Sequence, residues 1–305
     1  MVRWLLALLL TAGTGGLTAR GGTLVQFRTL VGDVEVELMD SDKPVTVQNF
    51  LHYVRAGSYA TNNLFFHRLL PGFVLQGGGF GTRETRSATK AFVSARPIPT
   101  FPTITNEFAV GPKVSNTYGT IAMAKLGGNP NSASAQWFFN LANNGANLDA
   151  QNGGFTVFGR VVRGTNVLEF FNGLGKQLPP PAWSFFGVVD LRAWYASSTD
   201  PASVQFGNLF SDLPVNYLGN SYPTYADLFY VDISLLNVRV TRLANGAREI
   251  RWGTVAGRPN VVEYTQSFPP SWQTLARPTG DGTEQSVTDT SAGATSRFYR
   301  VRVEY

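Results

Sequence analysis

Only two stretches of the chain carry a helical period, and they sit among many short runs in which apolar and polar residues alternate. Residues 44–54 open on Pro44 and place Val47, Phe50, Leu51 and Val54 at i, i+3, i+4 and i+7, with Gly57 closing the pattern. Val167, Phe170, Phe171 and Leu174 repeat that spacing, followed by Gly175. The strand-like runs are TLVQFRTL and VEVELM on either side of Gly32-Asp33, which read as a hairpin, then GTIAMA (119–124), AQWFFNLA (135–142) and FTVFGRVV (155–162). Two helices cannot supply the repeated crossovers of a doubly wound α/β sheet. The pattern predicts a mainly β fold, a barrel or sandwich with helical caps.

Other segments break this rhythm. Residues 81–107 carry Pro97, Pro99 and Pro102 and read as loop. From Lys176 to about Tyr225 the periodicity is lost, yet Trp183, Phe185, Phe186, Trp194 and Tyr195 fall there, which predicts a packed insertion and not a free linker. DLFYVDISLL (227–236) restores a strand. Beyond it REIRWGTV, NVVEYTQSF, SWQTLA, EQSVTDT and RFYRVRVEY are short strands broken by Gly, Pro and Asn, a small β-sandwich over 237–305. In the last of them Tyr299, Val301, Val303 and Tyr305 share one face and Phe298, Arg300 and Arg302 the other.

Much chemistry is excluded. The chain has no cysteine, so disulfides, thiol catalysis and Cys-based zinc sites are out. Two histidines, His52 and His67, leave little for a transition metal. No GxSxG, HExxH or Walker loop occurs, and Gly77, Gly79 and Gly81 lack the GxGxxG order because residue 82 is threonine. A net charge of +5 spread over 305 residues, without a basic run, does not point to nucleic acid. At the N-terminus Arg3 precedes the apolar run Trp4 to Leu10 and then small residues. That run is too short for the ~20 residues of a spanning helix and fits a secretory signal peptide over 1–20. The expectation is a periplasmic or secreted protein with no membrane span after signal removal.

The stretch FFHRLLPGFVLQGGGF (65–80) sets one arginine and one glutamine among aromatic and aliphatic side chains, with no nucleophile. Together with GTIAMAK, NPNSASAQWFFNLANN and GGFTVFGRVVRGTNVL it resembles the cyclophilin family of peptidyl-prolyl cis-trans isomerases, collinear from about Thr23 to Leu174. The resemblance implies an eight-stranded antiparallel barrel capped by two helices, spanning 23–236 with 227–236 as its closing strand and 176–225 as an insertion. It also implies a proline-binding groove on one face. By resemblance Arg68 donates to the prolyl nitrogen, Gln76 orients the substrate carbonyl, Phe73, Phe138 and Leu148 line the proline socket, and Ala124 meets the residues before proline. His67 is expected to be a structural neighbour of Arg68 and not a base.

Three positions depart from the family's common pattern. Val74 stands where methionine is usual after the PGF turn, and valine is shorter and stiffer, which predicts a slightly wider socket. Asn147 replaces a tryptophan that often precedes the Leu-Asp pair, so cyclosporin is expected to bind weakly. Phe155 takes the place of a histidine and can still wall the socket. The strands of 237–305 loosely resemble a shortened fibronectin type III module. The resulting expectation is a cofactor-free, monomeric isomerase acting on proline-containing segments of exported or unfolded proteins. The rival reading is a catalytically weak proline-peptide binding module tethered by an adhesion-like domain. The joint presence of Arg68, Gln76, Phe73 and Phe138 favours the enzyme.

Overall fold

The computed structural model describes residues 23–177, 187–217, 222–236, 238–254, 259–267, 269–281, 283–293 and 296–303. The expected signal peptide lies outside them. Eight strands form one antiparallel sheet: β1 (Leu24–Thr29), β2 (Gly32–Leu38), β3 (Arg68–Leu70), β4 (Val74–Gly77), β5 (Thr120–Met123), β6 (Trp137–Asn140), β7 (Val157–Arg163) and β8 (Val231–Leu235). Their spatial order is β8-β1-β2-β7-β5-β6-β4-β3. The sheet curls until its ends meet: the Phe66 N–H donates to the Phe229 carbonyl at 3.0 Å and the Val231 N–H to that of Leu64 at 2.9 Å. Thr29 pairs with Gly32, so the first hairpin turns at Leu30-Val31 and not at Gly32-Asp33.

Alternation along the strands divides two apolar sets. Val36, Leu75, Ile121, Phe139 and Phe158 point inward and are buried with Phe27 and Trp137. Their neighbours Val74, Ala122, Phe138 and Val157 point out and form a separate, smaller cluster. The barrel core is closed by two helices, α1 (Pro44–Arg55) and α3 (Thr165–Asn172), with the single-turn α2 (Gly145–Leu148) between them in the chain. Phe50 of α1 packs on Phe27 and Phe158 with ring centroids 5.9 and 5.2 Å away. Phe171 of α3 packs on Phe66 and Phe229 at 5.2 and 4.9 Å. Lys43 gives α1 no side-chain cap; instead the Glu107 carboxylate accepts from the N–H groups of Val45 and Thr46 at 3.2 and 2.7 Å. An anion there also meets the positive end of the helix dipole. Gly78 follows β4 with φ at 82°, where a Cβ would lie 2.3 Å from the Ala135 carbonyl. The glycine run is thus a close crossing over β6 and not a phosphate loop.

The described part of the insertion is packed, while Trp183, Phe185 and Phe186 lie outside the described residues. Phe92 from the loop 81–107 meets Phe65, Trp194, Tyr195, Phe206, Phe210 and Tyr225 in a second core beside the barrel. Its described part also contains two short helices, α4 (Leu191–Tyr195) and α5 (Pro201–Gly207), where the sequence shows no helical period. Caps and not periodicity define them: Asp190 accepts from the Arg192 N–H, and Asp200 from those of Ala202 and Ser203, with Pro201 in the first turn. Residues 238–303 form two three-stranded sheets, β9-β10-β13 and β12-β11-β14, from β9 (Val238–Arg242), β10 (Arg248–Gly253), β11 (Asn260–Thr265), β12 (Gln273–Ala276), β13 (Glu284–Asp289) and β14 (Phe298–Val303). Ile250, Trp252 and Val262 are its buried centre, with Tyr299 and Val301 packed on them and Phe298 turned outward.

Candidate active site

The outward cluster becomes a site because strand register lines up its side chains. Arg68 of β3 pairs with Gln76 of β4, Gln76 with Phe138 of β6, and Phe138 with Ala122 of β5. These four positions make one row across the outer face of the sheet. The Arg68 guanidinium donates to Gln76 Oε1 at 3.4 Å, and Gln76 Nε2 donates to Gln136 Oε1 at 2.8 Å. The arginine therefore leans on a glutamine that is itself held from the next strand, which fixes the head group without consuming all of its five donors.

Beside this row is a cavity of about 210 Å³ lined by Arg68, Phe73, Val74, Gln76, Ala124, Lys125, Phe138, Leu148, Gln151 and Phe155. Pockets that enclose drug-sized ligands run to ~300–1,000 Å³, so this one suits a single ring. Phe138 and Phe155 meet edge to face at 5.8 Å and form an apolar corner. A larger depression of about 700 Å³ lies between α1 and residues 101–104, and it is more open to solvent than the smaller cavity.

The cavity's far wall comes from the irregular segment 144–155, and a chain of buried amides ties it down. Asn144 donates to the Phe73 carbonyl at 2.7 Å and to Asn140 Oδ1 at 2.8 Å. Asn140 donates to Asn116 Oδ1 at 3.1 Å. Asn116 in turn donates to the Asp149 carboxylate at 2.8 Å and the Phe155 carbonyl at 2.9 Å. Phe73, Leu148 and Phe155 are thereby positioned by one network. Burial alone would raise the Asp149 carboxyl, but hydrogen bonds from the Asn116 side chain, Ser115 and the Asn116 N–H outweigh it and hold it below the usual carboxylate range.

Eight of the nine residues expected at the site converge on the cavity: Arg68, Phe73, Val74, Gln76, Ala124, Phe138, Leu148 and Phe155. Asn147 does not; it is exposed on α2 and its amide oxygen accepts from Gln151. His67 points away from solvent at 5% exposure, and burial, aided by the Arg68 charge and only partly offset by hydrogen bonding with Gln136, lowers it to about 3. A neutral, buried imidazole is a wall and not a base. Gln136, Lys125 and Gln151 are additional. Gln136 was legible, standing two residues before Phe138 on the same strand face. Lys125 and Gln151 were not, because both lie beyond strand ends where no period applies. Among the described residues no part of the insertion lines the cavity.

A curled antiparallel barrel carrying an apolar socket on its outer face, with a fixed guanidinium and amide at the rim, defines a site that can hold a ring and set hydrogen-bond donors beside it. The sequence model of the family "cyclophilin type peptidyl-prolyl cis-trans isomerase/CLD" matches residues 24–181. A peptidyl-prolyl cis-trans isomerase of Acinetobacter baylyi is 38% identical over 152 residues, covering 50% of this chain and 72% of that protein. The peptidyl-prolyl cis-trans isomerase A of Dickeya dadantii is 38% identical over 162 residues, 52% and 76% of the two chains. The peptidyl-prolyl cis-trans isomerase B of Escherichia coli is 39% identical over 155 residues, 50% and 85%. The chain belongs to the cyclophilin type peptidyl-prolyl cis-trans isomerase family. Residues 182–305 lie beyond the family match, yet β8 within them completes the barrel by pairing with β1 from Val25↔Leu235 to Thr29↔Val231.

Proposed function

We propose that this isomerase accelerates rotation about X-Pro bonds in exported, unfolded or newly translocated polypeptides, using Arg68 and Gln76 as its polar groups and Phe73, Val74, Ala124, Phe138, Leu148 and Phe155 as its proline socket. The observation that carries the assignment is the row Arg68–Gln76–Phe138 in register beside a ring-sized apolar cavity. An X-Pro bond turns slowly because its partial double-bond character imposes a barrier of ~18–20 kcal/mol. Rotation breaks that conjugation and returns the lone pair to the prolyl nitrogen, where an N–H donor stabilises it. Arg68 supplies the donor. Gln76, anchored by Gln136, takes the carbonyl on the other side of the turning bond. The socket holds the ring still and keeps water away, so that the bond turns against a fixed proline. No proton transfer and no covalent intermediate enters.

The sandwich of 238–303 and the leader-like N-terminus support an exported role in which the second domain recruits clients. The test is refolding of an unfolded protein whose slow phase is limited by a trans-to-cis X-Pro step, with the full chain added in catalytic amount. Acceleration of the slow phase supports the reading. Turnover of short peptides without any acceleration of refolding overturns the client assignment.

A further inference from the structure

The cavity contains a charge that the proposed mechanism does not use. Lys125 follows Ala124 at the end of β5, and its ammonium enters the lining beside Phe138 and Phe155. It is held by the carbonyls of Asn152 and Gly154 at 2.8 and 2.6 Å and lies 4.8 Å from the centre of the Phe155 ring. Carbonyls and a ring face orient a cation without neutralising it. Among the described residues no carboxylate lines the cavity, and the two charged groups that do, Arg68 and Lys125, are both cationic.

We propose that Lys125 is a specificity-determining residue that makes the site prefer an acidic side chain next to the proline. The inference rests on the isomerase reading and extends it to substrate class. A half-buried cation next to an apolar socket costs desolvation in the free protein, and a substrate carboxylate arriving within reach recovers part of that cost. A neutral neighbour of the same shape recovers nothing. An attraction of this kind, at a partly exposed site, amounts to about fivefold in kcat/KM and shrinks with added salt.

The pH dependence of this preference has a definite sign. Burial pushes the Lys125 ammonium down to about 8, so the charge is present at neutral pH and is lost as pH rises through that value. The other charged groups of this wall are Arg68, across the cavity, and Asp149, whose carboxylate is bound by Ser115 and Asn116 and held below the usual carboxylate range.

The test uses the full chain and peptides with Glu or Gln at the positions directly before and directly after proline, followed by exchange NMR so that no protease preference intervenes. The account expects one of the Glu peptides to exceed its Gln counterpart by about fivefold near pH 7. That ratio should collapse towards one in Lys125→Gln, persist in Lys125→Arg, and fade above about pH 9 in the unsubstituted protein. Equal rates for Glu and Gln at both positions overturn the proposal, as does a ratio that survives Lys125→Gln. Absence of turnover on all four peptides contradicts the isomerase reading itself, and so the two failures are distinct.

Discussion

Replacing Asn116 by alanine removes the centre of the amide chain that supports the proline socket. Asn116 is fully buried and makes three side-chain bonds: to the Asp149 carboxylate, to the Phe155 carbonyl, and from Asn140. The first is charge-assisted and contributes ~1.5–3 kcal/mol, and each of the two neutral bonds contributes about 1 kcal/mol, so the loss sums to about 3.5–5 kcal/mol. Against a typical stability of about 5–15 kcal/mol this is a large share. The assay is native-state amide exchange at the barrel-core positions Ile121 and Phe158, which reports the barrel without the C-terminal sandwich. Protection there should fall by about two to four powers of ten, since each 1.4 kcal/mol is tenfold. Ser115→Ala removes one bond, to the other oxygen of the same carboxylate, at an exposed edge and should cost only about 1 kcal/mol. Core protection in Asn116→Ala within about tenfold of the parent would refute the argument that these amides act as one network.

Other expectations follow from the same structure. His67 is lowered to about 3 by burial while an unfolded histidine titrates near 6.5, so the unfolded chain takes up a proton that the native one refuses. Barrel stability should therefore decline as pH falls from 6.5 towards 3, by up to roughly 1.4 kcal/mol per unit, and His67→Gln should flatten that slope in urea titrations over this range. Gly164 precedes α3 with φ at 88°, and a Cβ there would sit 2.0 Å from the Asp33 carbonyl. Gly164→Ala should cost more than the ~1–2 kcal/mol of left-handed strain alone, visible as a lowered melting temperature by calorimetry. Cyclosporin should bind weakly, because Asn147 is exposed and offers no aromatic face; Asn147→Trp should tighten binding by titration calorimetry, and a low-nanomolar dissociation constant in the parent would contradict the expectation.

The β architecture was legible because its strands alternate, inward Leu75, Ile121, Phe139 and Phe158 against outward Val74, Gln76, Phe138 and Val157, while the choice of a barrel over a sandwich came from the resemblance. Strand register sets Arg68, Gln76 and Phe138 in one row, but their roles were legible only through the resemblance to cyclophilins; alternation alone reads Phe138 as ordinary barrel core. What escaped lay where no period operates. The Asp190 and Asp200 caps make helices too short for an amphipathic repeat. The contribution of Lys125 depends on a loop carbonyl 29 residues away, and α1 is capped by Glu107, 61 residues from the N–H it serves. Asn147 failed in the opposite sense: its neighbour Leu148 enters the wall while α2 turns Asn147 outward.

The most direct test of the central claim is a protease-coupled isomerisation assay on a short X-Pro-Phe peptide, comparing the full chain with Arg68→Ala. Removing a charge-assisted donor of ~1.5–3 kcal/mol from the turning bond predicts a loss of roughly ten- to hundredfold in kcat/KM with the fold intact. Turnover in Arg68→Ala equal to that of the parent would contradict the account. So would a folded parent chain that binds the peptide and does not turn it over, which would leave the barrel a proline-peptide binding module.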